Sequence, residues 1–600
     1  MKSNIKAILM GGVLGLTSLA SCTDGYEEEP VELYTLDYVF STTDSVGKQA
    51  RQYLNGMYRI LKSGHNRIGS DYLDAASDDA ISIQYDKSDV YKIAMGQYNS
   101  RNRVDGDMVW ADNYATVREA NIFIPNIDRV PFNSDFTYVR AGETETDANG
   151  NLKKTPFNVT MKAEARFLRA WAYWNLVVRY GGVPLVGDRV FDVEDDLQLP
   201  RNSFAECIEY IVSELDAIKD DLRGMPMQGD YDAFGAVPTR ETCMAMKSRV
   251  LLYAASRLFN EAPLEPGNEA IGYASYDQHR WELAAAAARE FMENYGHLGG
   301  TGAFDLNDNF RNAFLSHYST NNKEIIWFIN GEISGSSIEK NNGPLGFSGN
   351  SLGQGRTLPT QNLVAAFPMK DGKMAGESKY DYDPQNPYAN RDPRLDMTVL
   401  HQGSRWLQTN LAMYEGGGNN PTSSALYSRT GYYMCKFMAD HTGDQTEYQS
   451  NPHPWVVFRY AEILLNYAEA QNEALPVPDA SVYDCIIKLR KRAGIEPGDN
   501  GLYGLEDGMS QAAMREVIRN ERRVEMAFEE QRFFDIRRWK IADKCFAEPL
   551  HGMRIVNQDG NLRYSVNNVL PVKWEDRRYF YPIPYDEVVK NSNMVQNPNW

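Results

Sequence analysis

Two polar stretches of this sequence carry side chains that could recognise a ligand rich in hydroxyl groups. Flat C–H faces of such a ligand stack on aromatic rings, and its hydroxyl groups pair with carboxylate, amide and guanidinium groups. The first stretch supplies Asp78, Asp79, Tyr85, Tyr98, Asn99, Arg101 and Arg103. The second stretch, from Phe304 to Phe347, supplies Trp327. We predict these residues as ligand contacts, with burial in the fold as the alternative for each ring.

Trp327 illustrates that alternative, because residues 324–328 (EIIWF) also fit a short buried strand. Trp171 and Trp174 occupy the apolar face of a helical pattern, and we assign both to the core.

No catalytic or metal-binding motif is recognisable in the sequence. The eight histidines form no HExxH pair, and residues 331–335 (GEISG) and 346–349 (GFSG) both miss the GxSxG pattern. A carboxylate pair for glycoside hydrolysis stays open, since such a pair is defined by its separation in space. We therefore predict a protein that is not an enzyme and has no cofactor, catalytic residue or metal site.

Composition is that of a globular, acidic protein. The 600 residues include 62 Lys and Arg against 81 Asp and Glu, which gives a net charge of −19 and disfavours nucleic acid as a partner. Of the six cysteines, the five after Cys22 show no CxxC spacing. A disulfide framework and a zinc site are therefore both disfavoured.

The elements that must position the polar stretches are mostly helical. Apolar residues recur at spacings of three and four in segments 162–180, 241–260, 281–295, 460–473 and 511–539. Each mixes alanines with aromatic residues, as stacked helix pairs do. We predict a mainly α fold with a tetratricopeptide-like helix-pair scaffold, although no strict 34-residue period is present.

Long loops and small hairpins complete this predicted fold. Segments 71–106, 298–356 and 380–429 are polar, rich in Tyr and Gly, and too long for simple connections. Asn149-Gly150 and Asp559-Gly560 are typical of hairpin turns.

The first residues predict export. Lys2 and Lys6 precede a short apolar stretch, and Leu19-Ala20-Ser21-Cys22 resembles the bacterial lipobox. We predict a signal peptide over 1–21, lipidation of Cys22, an acidic tether over 22–43 and a body over 44–600. The alternative is an ordinary secretory signal cut near Ala20, with Cys22 free.

Several motifs of the body resemble the SusD/RagB family of Bacteroidetes surface lipoproteins. The signature helix is matched by residues 519–529 (RNERRVEMAFE) with Arg532 and 535–539 (DIRRW). Other matching segments follow the family's order, namely 163–173, 180–184, 359–368, 371–372, 391–395, 458–469, 489–494, 581–584 and 596–600. The resemblance divides the body into an N-terminal part, about 44–300, and a C-terminal signature part, about 301–600.

The resemblance implies a SusD-like helical body and a function in nutrient uptake. Family members are similar in being lipid-anchored at the outer membrane, facing the cell exterior, where they act as lids of a SusC-type TonB-dependent transporter. They capture an oligosaccharide from a polysaccharide and pass it to the channel without breaking a bond. A minority bind peptides instead, which leaves a peptide receptor as the alternative and a surface glycoside hydrolase as a more distant one.

Charged residues of the signature allow two interpretations. Glu516 with Arg519, Arg522 with Glu525, and Glu529 with Arg532 are oppositely charged pairs at i,i+3 on one predicted helix. The arginines could form a site for an anionic substrate, or the charges could form an internal ion network. We favour the internal network, because each arginine already has a carboxylate neighbour.

Overall fold

The computed structural model describes residues 35–139, 145–192, 194–223, 237–299, 302–316 and 322–600. Cys22, the predicted signal peptide and most of the predicted tether lie outside these residues. The folded body begins before residue 44, since a short helix starts at Leu36 and Phe40 is fully buried.

Helices dominate the described part of the chain. They are α1 (Leu36–Val39), α2 (Lys48–Met57), α3 (Asp89–Ala94), α4 (Trp110–Asn126), α5 (Phe157–Tyr180), α6 (Phe204–Ile218), α7 (Arg240–Ala255), α8 (Arg257–Asn260), α9 (His279–Asn294), α10 (Ser337–Asn342), α11 (Gln361–Ala366), α12 (Arg394–Thr398), α13 (Tyr460–Ala474), α14 (Ala480–Ala493), α15 (Gln511–Glu525), α16 (Gln531–Arg538), α17 (Ala542–Cys545) and α18 (Tyr585–Lys590).

Strands are short and pair two by two. They are β1 (Ala80–Ser82), β2 (Thr137–Val139), β3 (Lys154–Pro156), β4 (Ile325–Gly335), β5 (Thr357–Pro359), β6 (Val399–Leu400), β7 (Arg405–Trp406), β8 (Thr409–Asn410), β9 (Tyr433–Met434), β10 (Asn451–Arg459), β11 (Leu550–Gln558) and β12 (Asn561–Leu570). The antiparallel pairs are β1 with β5, β2 with β3, β4 with β10, β6 with β9, β7 with β8, and β11 with β12.

The long helices stack on one another in a chain of neighbours. Helix α5 packs between α4 and α6, α7 packs against α6 and α9, and α13 packs against α9, α14 and α15. Helix α5 is buried on almost every side and ends at Gly181 (φ 79°), where a Cβ would lie 2.5 Å from the carbonyl oxygen of Ala270. The mainly α, helix-pair scaffold predicted from the sequence is confirmed.

The predicted helix over 511–539 is wrong in one respect. It is divided into α15 and α16 by a turn in which Phe528 (φ 63°) and Glu530 (φ 60°) adopt the left-handed region. Neither residue is a glycine, so the sequence carries no local signal for the interruption. The predicted helix over 241–260 is likewise divided, at Ser256, into α7 and α8.

The hairpin predicted at Asp559-Gly560 is confirmed. Gln558 pairs with Asn561, and Asp559 (φ 52°) and Gly560 (φ 90°) form the two-residue loop between β11 and β12. Asn149-Gly150 lies in a second turn, inside the bridge between Thr146 and Leu152.

Two further observations concern the described residues. Their five cysteines are all free, and Cys545 alone among them is not fully buried. Over the same ranges, every helix is too short or too polar to cross a lipid bilayer.

Candidate functional site

The β1–β5 pair brings two of the long loops together. Ser82 is opposite Thr357, and the backbone N–H of Ile83 donates to the carbonyl oxygen of Arg356 over 2.9 Å. The chain leaving β1 therefore runs beside the chain entering β5. Residues just after Ile83 are placed next to residues just before Thr357.

A third loop ends at the same place. Strand β9 packs against β5, and a Cβ on Gly355 would lie 2.5 Å from Cε1 of Tyr433 and 3.4 Å from Cδ1 of Ile83. Gly355 also has a φ of +57°, so only glycine allows this close approach without strain. Residues inside loop 71–106 thus lie next to the C-terminal ends of loops 298–356 and 380–429.

Two tyrosines flank an arginine in this region, and a third tyrosine contacts one of them. The Cζ of Arg429 lies 4.9 Å from the ring centroid of Tyr85 and 4.8 Å from that of Tyr427. The rings of Tyr85 and Tyr91 are 5.1 Å apart. All four side chains are partly exposed, and we call them the tyrosine–arginine patch. Cation–π contacts of this kind hold rings and guanidinium in a fixed arrangement.

The backbone of Tyr85 is held in an unusual conformation. Its φ of 52° lies in the left-handed region, which is costly for a residue with a bulky side chain. Ser88 stabilises the turn, because its Oγ donates to the carbonyl oxygen of Tyr85 (3.0 Å) and accepts from the N–H of Tyr91 (3.2 Å) at the start of α3. The backbone that carries both rings is therefore held in place by hydrogen bonds within this turn.

Polar groups border the rings. The Nη1 of Arg429 is buried and has no hydrogen-bond partner among the described residues. Arg356 is partly exposed and donates from Nε to Oε1 of Gln354 over 3.0 Å. Burial and the neighbouring Tyr85 raise the pKa of Tyr91, so its phenol remains protonated and can donate a hydrogen bond. The patch combines stacking surfaces with free donors.

Asp78 and Asp79, two predicted contacts, are buried away from this surface. Asp78 accepts hydrogen bonds from Nε of Arg532 (2.8 Å) and Nη2 of Arg523 (2.9 Å), and Asp79 accepts from Nε of Arg523 (2.7 Å). Burial raises the pKa of Asp78, but the two arginines outweigh it and hold this pKa below its usual range. Both carboxylates join the loop to the signature helices, which corrects their predicted place in an exposed site.

Tyr98 and Trp327 are also buried. The ring of Tyr98 lies 5.4 Å from that of Tyr581 and 5.2 Å from that of Trp600. Trp327, on β4, stacks on Phe458 at 5.8 Å and meets Trp171 edge to face at 5.1 Å. Both rings face other rings instead of solvent, so neither is available to a ligand at the surface.

Asn99, Arg101 and Arg103 are exposed, but Asn99 and Arg101 make their contacts away from the patch. The Oδ1 of Asn99 accepts from the N–H groups of Arg101 and Asn102, each over 2.9 Å, and so closes a turn. The Cζ of Arg101 lies 3.6 Å above the ring of Tyr585 in the C-terminal segment. Of the predicted contacts, the patch includes Tyr85 alone.

Arg356, Arg429 and Tyr427 were not among the predicted contacts. Both arginines stand at the last position of a long polar loop, directly before residues that lead into β5 and β9. That position was the only feature of the sequence that could have indicated the two arginines as ligand contacts. The strand that follows a loop fixes the location of the last residues of that loop.

A separate cavity of about 270 Å³ is lined in part by Trp171, Trp174 and Trp455. Its volume is at the lower limit for ligand pockets. Its charged groups are also already paired, since Arg67 Nε lies 2.6 Å from Glu530 Oε1 and Arg249 Nη2 lies 2.6 Å from Glu462 Oε2. The tyrosine–arginine patch is therefore the stronger candidate site.

Charges of the signature form an internal network. Glu525 is fully buried and accepts from Nη1 of Arg394 (2.9 Å), from Nη1 of Arg459 (2.7 Å) and from Arg492. Burial raises the pKa of Glu525, but the three arginines hold it well below its usual range. The structural interpretation is thus supported over that of a substrate site.

The partners within that network differ from the predicted ones. Only Glu516 and Arg519 form the expected i,i+3 pair, at 3.3 Å. Arg522 instead donates to Asp535 over 2.9 Å, and Arg532 donates to Asp78. The turn between α15 and α16 redirects these side chains, so tertiary partners replace local ones.

Comparison with known proteins agrees with this architecture. Residues 323–600 match a family model described as "SusD family", and residues 38–252 match one described as "Starch-binding associating with outer membrane". One model lies in the N-terminal part of the body and the other in its C-terminal part, with residues 253–322 between them.

Individual relatives match over nearly the whole chain. SusD-like protein P2 of Formosa agariphila is 24% identical over 602 residues, which is 97% of each chain. The crystal structure of a SusD-like protein from Bacteroides fragilis NCTC 9343 is 26% identical with a TM-score of 0.69, and the match covers 94% of this chain and 98% of that one. A SusD-like carbohydrate binding protein from the same organism, 23% identical, has the same fold, with a TM-score of 0.67 and coverage of 92% and 99%. The chain therefore belongs to the SusD/RagB family, a carbohydrate-binding family associated with the outer membrane.

Proposed function

We propose that this protein captures an oligosaccharide at the tyrosine–arginine patch and acts as the lid of a SusC-type TonB-dependent transporter. The observation that carries the binding proposal is the placement of Tyr85 and Tyr427 beside Arg429, with Tyr91 next to Tyr85, in one group of partly exposed side chains. Membership of a carbohydrate-binding family supports a glycan as the ligand.

Capture at this site requires only stacking and hydrogen bonding. The tyrosine rings would stack on the C–H faces of pyranose rings, and the partly exposed phenol of Tyr91 would donate to a ring or hydroxyl oxygen. Because Ser88 holds the backbone at Tyr85, little backbone conformational entropy is lost when the sugar binds. The patch is open at the surface, so the ends of a longer glycan can extend beyond it.

Local charge favours neutral or acidic ligands over cationic ones. The two loops that meet at β5 and β9 each end in a partly exposed arginine, Arg356 and Arg429, although the whole chain is acidic. Such a local cluster can override the net charge. It would also bind the carboxylates of a peptide, so a peptide remains the alternative ligand.

Anchoring and partner follow from the sequence motifs. We propose that Cys22 carries the lipid, that residues 22 onward tether the body to the outer membrane, and that the protein faces the cell exterior. The description of the N-terminal family model as associated with the outer membrane supports this placement. Transfer of ligand to the transporter needs no bond to be broken, and we propose that the protein is not an enzyme.

Binding can be tested by glycan-array screening followed by isothermal titration of the parent and two variants. Tyr85→Ala and Arg429→Gln should each lower the affinity roughly ten- to hundredfold, by analogy with other aromatic platforms. Tyr276→Ala is the matched control, because Tyr276 is 52% exposed and lies before α9, outside the patch. Unchanged affinity in both patch variants would place the site elsewhere, and binding of peptides alone would favour the alternative.

Anchoring is tested separately with Cys22→Ala. Without the lipid, the variant should appear in the soluble periplasmic fraction, because a tether without an acyl chain has no membrane affinity. The experiment is done in cells that lack the transporter, so that the partner cannot retain the protein. Retention in washed membranes there would contradict the proposed anchor.

A further inference from the structure

A second cleft lies among the helices of the scaffold. It has a volume of about 820 Å³, within the usual range for ligand pockets, and it shares no lining residue with the tyrosine–arginine patch. Its walls come from α8, α9, α13 and α15 and from Trp539, which directly follows α16. We call it the scaffold cleft. Its charged side chains indicate which ligand chemistry it can recognise.

Apolar side chains supply part of the walls. Leu475 and Pro476, in the segment after α13, are both accessible to solvent. Trp281 on α9 and Trp539 also line the scaffold cleft, although most of each ring is buried. The carbon skeleton of a small ligand can therefore pack against these residues.

Two of the carboxylates that line the scaffold cleft are already held by bidentate pairs. Glu473 accepts from Nε and Nη2 of Arg515, each over 2.5 Å. Glu469 accepts from Nη1 of Arg538 over 2.5 Å and from Nη2 over 2.8 Å. Bidentate pairs of this geometry are the strong ones, so neither carboxylate is available to another arginine.

Arg519 on α15 lines the same cleft but lacks such a partner. Its Nη1 donates to Oε1 of Glu516 over 3.3 Å, and the side chain of Glu516 is 73% exposed. Its Nε is buried without a hydrogen bond, and its Nη2 is not buried and donates to no described residue. Burial lowers the pKa of Arg519, whereas the hydrogen bonds with Glu473 raise the pKa of Arg515. The charge of Arg519 is therefore only weakly compensated.

The position of Arg519 is nevertheless defined. Its Cζ lies 5.1 Å from the ring centroid of Trp539, a cation–π contact. Arg519 belongs to the signature helix but makes no contact with Glu525, whose partners are Arg394, Arg459 and Arg492. A ligand bound to Arg519 would thus leave the internal ion network intact.

We propose that the scaffold cleft binds a small organic acid, whose carboxylate is held by Nη1 and Nη2 of Arg519. The two oxygens of a carboxylate match the planar fork of a guanidinium. Glu516 would give up its single hydrogen bond and turn into solvent, and a ring attached to the carboxylate would pack beside Trp281 and Leu475. This site is independent of glycan capture at the tyrosine–arginine patch.

Ligand-observed NMR with saturation transfer tests the proposal without any glycan. The probes are sodium glucuronate, N-acetyltyrosine and the methyl esters of both acids. At least one acid should give a saturable signal that its ester lacks. Glucuronate alone would identify an acidic sugar as the ligand, N-acetyltyrosine alone an amino-acid derivative, and both together would show that the carboxylate suffices. Absence of binding by both acids, or equal binding of acid and ester, would overturn the proposal.

Variants of two neighbouring residues should change the affinity in opposite directions. Arg519→Gln removes a charged donor and should lower the affinity for the acid roughly ten- to hundredfold. Glu516→Ala removes the competing carboxylate and should raise the affinity about two- to fivefold. Because Glu516→Ala leaves every buried pair intact, its response decides the question even when Arg519→Gln does not fold. An affinity that stayed the same or fell in Glu516→Ala would contradict the assignment.

Two further variants locate the site. Arg289→Gln is the matched control, because Arg289 also pairs with a glutamate on its own helix, Glu293 at 2.6 Å, but lies outside the scaffold cleft. Its affinity for the acid should equal that of the parent. Arg429→Gln, in the tyrosine–arginine patch, should also bind the acid normally. Loss of binding in Arg429→Gln together with normal binding in Arg519→Gln would place the acid at the patch and refute the proposal.

Discussion

The signature helices and the tyrosine–arginine patch use the same residue types in opposite ways. In the signature, Glu525 and Arg459 are fully buried, and every oxygen and nitrogen of their charged groups has a partner. In the patch, Arg429 is partly exposed and keeps an unpaired Nη1 beside tyrosine rings. The region with recognisable motifs thus holds the fold together, while the proposed glycan-binding site lies where the sequence has no motif.

Energetics explain why the two regions must differ. A buried ion pair with good geometry contributes little more to stability than apolar side chains of similar volume would. Removal of one partner is nevertheless strongly destabilising, because the remaining charge stays buried without compensation for its desolvation. A ligand that competed for such arginines would have to disrupt the network. An arginine at the surface, held by rings through cation–π contacts, can bind a ligand at no such cost.

The largest expected effect is that of Glu525→Ala. Arg394, Arg459 and Arg492 would lose a shared partner in the interior, and the free energy of unfolding should fall by roughly 3 to 5 kcal/mol. Denaturant unfolding of parent and variant measures this change. Glycan affinity per folded molecule should stay the same.

Glu516→Ala is the matched control for that variant. Glu516 lies on the same helix, but its side chain is 73% exposed and its single pair with Arg519 is 3.3 Å long. Such pairs contribute little, so the free energy of unfolding should change by less than about 0.5 kcal/mol. A stable Glu525→Ala protein that no longer bound glycan would instead assign the signature to the ligand site.

Acid should weaken the signature network before it affects the patch. Glu469 accepts from Arg538 and Trp539, and although burial raises its pKa, these partners lower it from 4.5 to about 2. Its contribution, about 3 kcal/mol, is present above about pH 4.5 and is lost as the pH falls toward 2. Glu469→Gln should flatten the decline of Tm between pH 6 and 3. Parallel profiles for parent and variant would contradict this prediction.

The long helices could be predicted because their signal is local, but the network could not. Amphipathic spacing and the terminating Gly181-Gly182 predict α5 from its own residues. The partners of Glu525 come from α12, from the end of β10 and from α14, and no sequence spacing reveals such pairs. The turn at Phe528 and Glu530 is equally hidden, since its left-handed residues are not glycines.

The same limit applies to the candidate site. Tyr85 was predicted because its loop mixes rings with polar groups, while Arg429 was missed because β9 and β5 bring it to Tyr85 from a distant loop. Asp78, Asp79, Tyr98 and Trp327 have suitable chemistry, but packing against Arg523, Arg532, Trp600 and Phe458 buries them. Residue type indicated the loop, and only tertiary structure separated its exposed side chains from its buried ones.

Tyr85→Gly should separate stability from binding in the patch. Glycine adopts a φ of 52° without strain, and this relief offsets the lost ring contacts and the greater freedom of the unfolded chain, so the free energy of unfolding should change by less than about 1 kcal/mol. Loss of the ring should meanwhile lower glycan affinity roughly ten- to hundredfold. Unfolding and titration experiments on one preparation measure both changes. A variant that lost stability without losing affinity would show that the ring serves packing.

Arg101→Ala should have the smallest effect and decides whether the ligand site extends beyond the patch. Its guanidinium stacks on Tyr585 at the surface, a contact that contributes about 0.5 to 1 kcal/mol to the free energy of unfolding. Short oligosaccharides should bind the variant and the parent equally, because the described contacts of Arg101 are with Tyr585 and not with Tyr85 or Arg429.

Arg103→Ala, at an exposed neighbour, is the control. If Arg101→Ala weakened the binding of longer chains alone, Asn99, Arg101 and Arg103 would form a second region of contact. Weaker binding of every oligosaccharide would instead place the centre of the ligand site at the turn of Asn99, Arg101 and Arg103. In that case the tyrosine–arginine patch alone would not be sufficient for binding.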